Sequence, residues 1–111
     1  MDDLKYIVNI LSLTSVEQNE HLKRLGTFPS TDELALEFED AYFYFKSRLE
    51  RETIDIDKDI ILSIEKINNM LDGLSYSNDM DIWNVNSLNG KEWSNIRQVA
   101  ASVMEQFLDS E

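Results

Sequence analysis

The chain has 111 residues with twenty-two acids against ten bases, a net charge of −12, and no cysteine. Its 42% apolar content and eleven aromatics (two Trp, four Tyr, five Phe) are too much for a disordered chain. One proline and three glycines are too few for a turn-rich all-β one. The acidity repels anionic membranes and nucleic acids and attracts a cationic partner; the missing thiols remove disulfide and thiolate chemistry and fit a reducing cytosol.

The opening MDDLKYIVNILSLTS has no basic lead-in, and its apolar run is too broken for a signal peptide or a membrane span. A cytoplasmic protein is expected. Leu4, Ile7, Val8 and Leu11 fall at helical spacing, with Asp2 or Asp3 placed to cap the start. Ser15 and Gln18 have capping-box spacing, and Gly26 follows Leu25 as a stop. Residues 2–25 therefore form one helix or two, and the Thr14-Ser15 pair favours two.

Phe28-Pro29-Ser30 breaks the chain, and Ser30 with Glu33 repeats the capping box ahead of a long helix running to about Glu52. Leu34, Phe38, Ala41, Tyr42, Phe45 and Leu49 make one stripe along it. A cap near Asp55 or Asp57 opens the next helix, whose stripe is Ile60, Ile61, Ile64, Ile67 and Leu71, with Gly73 as its stop. Residues 74–90 show no period and hold most of the turn formers. The last helix begins near Lys91, with Trp93, Ile96, Ala100, Val103 and Phe107 on one face. The expected fold is all-α: a compact bundle of four or five helices, one domain over 1–111, with one long loop near residues 74–90.

Catalytic and metal chemistry find little to build on. The single histidine, His21, sits among polar residues and reads as a surface side chain without a role. Asp55, Asp57 and Asp59 alternate like the start of a calcium loop, but Ile60 stands where that loop needs glycine and Lys66 where it needs glutamate. Asp79, Asp81 and Trp83 fail in the same way, ending at Gly90. The three glycines are scattered, so no phosphate-cradling loop exists. No catalytic, cofactor-binding or metal-ligating residues are assigned, and an enzyme is not expected.

The segment DELALEFEDAYFYFKSRLERE is the most informative stretch. It holds five acids in residues 32–40 and four consecutive aromatics, Tyr42 to Phe45. At 100° per residue, Tyr42 and Phe45 face inward, while Phe43 and Leu36 point together to the opposite side, flanked by Glu39 and Asp40. Tyr44 lies laterally with Glu37, Arg48 and Arg51. Two readings follow for Phe43: the helix is packed on two sides, or Phe43 is an aromatic anchor set amid carboxylates for a basic partner surface. The 74–90 loop offers the same mixture in Tyr76, Asp79, Asp81, Ile82 and Trp83, either as a lid over the core or as a contact site. The loop is the expected contact site, because loops carry recognition more often than packed elements do. The candidate partner-binding set is thus Glu37, Glu39, Asp40, Phe43, Tyr44, Tyr76, Asp79, Asp81 and Trp83.

In size, acidity, absence of cysteine, the segment 32–52 and the ending SLNGKEWSNIRQVAASVMEQFL, the chain resembles the small acidic helical immunity proteins of bacteria, of the contact-dependent growth inhibition or colicin type. The resemblance implies a cytoplasmic monomer that neutralises a basic toxin domain, a nuclease, in a 1:1 complex, with no cofactor and no direct contact to nucleic acid or membrane. A nucleic-acid mimic is the second expectation. Duplex DNA carries one charge per about 1.7 Å and a helix rises about 1.5 Å per residue, so the acids of 32–40 approach that density over roughly 12 Å before Lys46, Arg48 and Arg51 interrupt the row. An acidic regulatory or adaptor domain is the third.

Overall fold

The computed structural model describes residues 2–25, 30–51, 56–74, 83 and 85–109, and among these it contains five α-helices, one short 3-10 helix and no strand. The helices are α1 Asp2–Ser12, α2 Ser15–Leu25, α3 Asp32–Glu50, α4 Lys58–Leu74 and α5 Lys91–Asp109, with the 3-10 turn at Val85–Asn89 ahead of α5.

Residues 2–25 form two helices because local hydrogen bonds turn the chain between them. The Ser12 hydroxyl donates to the Asn9 carbonyl at 2.6 Å, and Thr14 Oγ1 accepts from the Glu17 amide at 3.2 Å while donating to the Glu17 carboxylate at 3.0 Å. This is a capping box one residue earlier than the expected Ser15 and Gln18. The shift matters because it releases Gln18, which is fully buried.

The start of α4 follows the same physics. Asp57 Oδ1 accepts from the Asp59 amide at 2.9 Å and so caps α4; Asp55 lies outside the described residues. At α3 the expected Ser30–Glu33 capping box does not form: Thr31 is the N-cap without a side-chain cap bond, the Ser30 hydroxyl accepts from the Asp32 amide at 3.2 Å, and the Glu33 amide bonds the Ser30 carbonyl. Two further expectations need correction. Gly73 does not stop α4, which continues to Leu74, and the 74–90 stretch is not all loop. Leu74 is helical and buried, and Val85–Asn89 is a 3-10 helix that anchors itself through buried Leu88. A single 3-10 turn is too short to leave a periodic signature, so the sequence conceals it.

All five α-helices contribute to one buried apolar cluster. Helix α1 supplies Leu4, Ile7, Val8, Ile10 and Leu11, each stabilising the fold by about 1.5–3 kcal/mol relative to exposure. Its most extensive interfaces are with α5 and α3, and α5 in turn packs on α4. The entire α5 stripe (Trp93, Ile96, Ala100, Val103, Phe107) is buried as the spacing predicts. In α3 the buried side chains are Leu34, Phe38, Ala41 and Phe45, with Tyr42 and Leu49 half-buried beside them. Phe38 stacks on Tyr42 at 5.6 Å, and Tyr42 meets Phe45 at 6.4 Å.

Helices α1 and α3 run antiparallel: Asp3 and Leu4 lie by Tyr44 and Arg48, and Tyr6 and Ile7 by Glu37 and Asp40. Helix α3 makes only a small interface with α4, so most of its outer surface faces solvent. No helix among the described residues is long and apolar enough to cross a membrane.

Candidate functional site

The two readings of Phe43 separate at once. Phe43 is 70% exposed and Tyr44 67%, and Leu36 also stands in solvent. Helix α3 is therefore packed on one side only, and no other described element covers the outward rings. Phe43 and Tyr44 meet edge to face, with centroids 5.8 Å apart and an interplanar angle of 78°. That arrangement holds two large apolar groups together on the surface without burying either. Two exposed rings in contact form a contiguous apolar patch, the kind of surface that marks an interaction site when it is large enough.

Beside them lies a cleft between α1 and α3. Its walls are Tyr6, which is 60% exposed, and Tyr44. Ile7 and Ala41 form its floor, and Asp3, Glu37 and Asp40 its rim. The volume is about 260 Å³, and a second hollow of about 370 Å³ adjoins it through Asp3, Ala41 and Tyr44 and extends towards Phe45 and Arg48. Ala41 is the one small side chain among the buried positions of α3, the others being Leu34, Phe38 and Phe45, and it lines both hollows.

Three expected site residues, Glu37, Asp40 and Tyr44, thus line one cleft, with Phe43 adjoining. The sequence reading missed Asp3 and Tyr6, which complete it. They sit three residues apart on α1, a spacing that places them on one helix face, but only the antiparallel approach of α3 shows which face. Glu37 is not wholly free for a partner. Its carboxylate lies 3.4 Å from His21 Nε2, and the His21 side chain is only 13% exposed. His21 is therefore not a surface side chain without a role: it ties α2 to α3. The histidine and the glutamate are 16 residues apart, which is why the sequence does not pair them.

Glu39 and Trp83 belong to a different groove, between α3 and α4, with Asp32, Leu36, Asp72 and Phe38. Trp83 packs half-buried against the core, and its carbonyl accepts from the Thr31 amide and the Ser30 hydroxyl, each at 3.0 Å. This residue secures the start of α3 and acts as a lid as well as a lining. Tyr76, Asp79, Asp81 and Ile82 lie outside the described residues. The acids of 32–40 consequently divide, with Glu37 and Asp40 on the α1 side and Asp32 and Glu39 on the α4 side. Among the described residues, no three His, Asp or Glu side chains converge where a metal ion would sit.

Compared with protein-family models, with curated proteins and with solved structures, the chain matches none.

Proposed function

We propose that this protein is an immunity-type inhibitor that binds a basic toxin domain, a nuclease, one to one in the cytoplasm. The contact surface is the α1–α3 face: Phe43 and Tyr44 as anchors, with Asp3, Glu37 and Asp40 as steering charges. One observation carries the reading. Three rings, Tyr6, Phe43 and Tyr44, stand exposed on a surface whose acids match a net charge of −12. Aromatic anchors supply most of the binding energy in protein interfaces, and unlike charges accelerate encounter. A nuclease presents the complementary surface, since it must itself attract phosphates.

A nucleic-acid mimic, the alternative inhibitor, needs a continuous row of charge. The division of Asp32 and Glu39 from Glu37 and Asp40 between two grooves gives that reading less support. An adaptor domain needs no exposed aromatic cluster.

The test is a growth-rescue assay with the basic C-terminal domain of a secreted protein encoded beside this chain. Co-expression is expected to restore growth, abolish nuclease activity and give a 1:1 complex on gel filtration. Undiminished killing at an equimolar level of this chain overturns the proposal.

A further inference from the structure

The α1–α3 cleft has a shape and charge that go beyond a general acidic surface. It is lined by exposed tyrosines from both helices, Tyr6 and Tyr44, by the buried aliphatic side chains of Ile7 and Ala41, and by carboxylates from both sides, Asp3 on α1 and Asp40 on α3. Each part selects something. An aliphatic floor over Ile7 and Ala41 accepts a hydrocarbon stem and gives no hydrogen bonds. Aromatic walls favour a flat or cationic head, since a cation over a ring face is attracted by its quadrupole. Carboxylates on opposite rims favour a group with several donors spread in one plane. The volume of about 260 Å³ accommodates one long side chain.

We infer that this cleft receives a single arginine side chain of the partner protein. The inference rests on the proposed function and names the group recognised there. Arginine meets each requirement: a three-carbon stem, a planar head that stacks on rings, and a fork of five donors that reaches carboxylates in two directions. A lysine ammonium is more strongly hydrated and presents no plane to the tyrosines. Arg48 lines the adjoining hollow, which shares Asp3, Ala41 and Tyr44 with the cleft. The neighbouring α3–α4 groove differs, because its rings are the buried Phe38 and the half-buried Trp83, which is itself packed on the core.

The experiment uses the whole chain and three small probes: N-acetyl-arginine amide, N-acetyl-lysine amide, and N-acetyl-citrulline amide, the uncharged isostere of the first. Amide NMR spectra are recorded through each titration. Saturable shifts confined to the surroundings of Asp3, Tyr6, Ala41 and Tyr44 are expected with the arginine probe, weaker ones with lysine, and none with citrulline. Tyr44→Ala and Asp40→Asn should each weaken the arginine response by roughly fivefold or more. Both side chains are exposed, so circular dichroism should show the fold unchanged. The inference is overturned by shifts that do not saturate, by an equal response to lysine or citrulline, or by shifts centred on the Trp83 groove. That outcome leaves growth rescue untouched, so failure of the cleft and failure of the inhibitor reading are told apart.

Discussion

Gln18 Oε1 and Arg97 Nη1 lie 3.4 Å apart across 79 residues of chain, and through them three segments are joined. Gln18 Nε2 donates to the Ile10 and Leu11 carbonyls, each at 3.0 Å, so that it closes the C-terminal end of α1 from the adjacent helix. The same Arg97 nitrogen donates to the Leu88 carbonyl at 2.6 Å and fixes the 3-10 turn. Burial lowers the Arg97 pKa through desolvation, yet the guanidinium stays charged at neutral pH. Replacing Gln18 with leucine keeps the volume but takes the side-chain donor from the Leu11 carbonyl, whereas the Ile10 carbonyl keeps the Leu13 amide at 3.1 Å. The expected loss is about 1–3 kcal/mol in urea unfolding. A cycle with Arg97→Met should show coupling of about 0.5–3 kcal/mol; strict additivity would break the proposed link.

Capping register offers a second check. Thr14, and not Ser15, makes the side-chain bonds that start α2. Thr14→Ala is expected to destabilise by about 1 kcal/mol and Ser15→Ala by much less. Thermal unfolding of the two variants side by side measures the difference, and equal losses would contradict the assignment.

Trp93 is fully buried, and its indole N–H has no hydrogen-bond partner among the described residues. Trp93→Ala should lower stability by about 3–5 kcal/mol, because a large cavity replaces the ring. Trp93→Phe should lose well under half of that: phenylalanine fills much of the space and removes the unsatisfied donor. Urea midpoints at a constant m-value test both substitutions.

Phe43 separates stability from recognition. It touches no core, so Phe43→Ser should leave the unfolding free energy within about 0.5 kcal/mol of the parent. Affinity for the toxin domain should fall by about 2 kcal/mol or more if the ring is an anchor. Calorimetry gives the second quantity, and an unchanged Kd removes Phe43 from the interface.

Two acidic regions compete as the steering surface. Asp3 and Asp40 rim the α1–α3 cleft, whereas Asp79 and Asp81 belong to the segment before Trp83. Reversing the first pair to lysine is expected to slow association about tenfold at low salt, an effect that fades as ionic strength rises. Reversing the second pair tests the loop in the same stopped-flow assay. A greater slowing there would move the contact from the cleft to the loop.

The sequence by itself determined the helices and their buried faces. Period 3.6 is a property of neighbouring residues, so Leu4 to Leu11 on α1 and Trp93 to Phe107 on α5 were readable without knowing what they pack against. The same wheel placed Phe43 opposite the core of α3 but left open whether a second helix would cover it. That answer, together with the Tyr6–Tyr44 cleft, the His21–Glu37 contact and the inward turn of Gln18, was decided by tertiary structure alone. Each depends on which helix lies alongside which. Such relationships join residues far apart in the chain, and no local pattern encodes them.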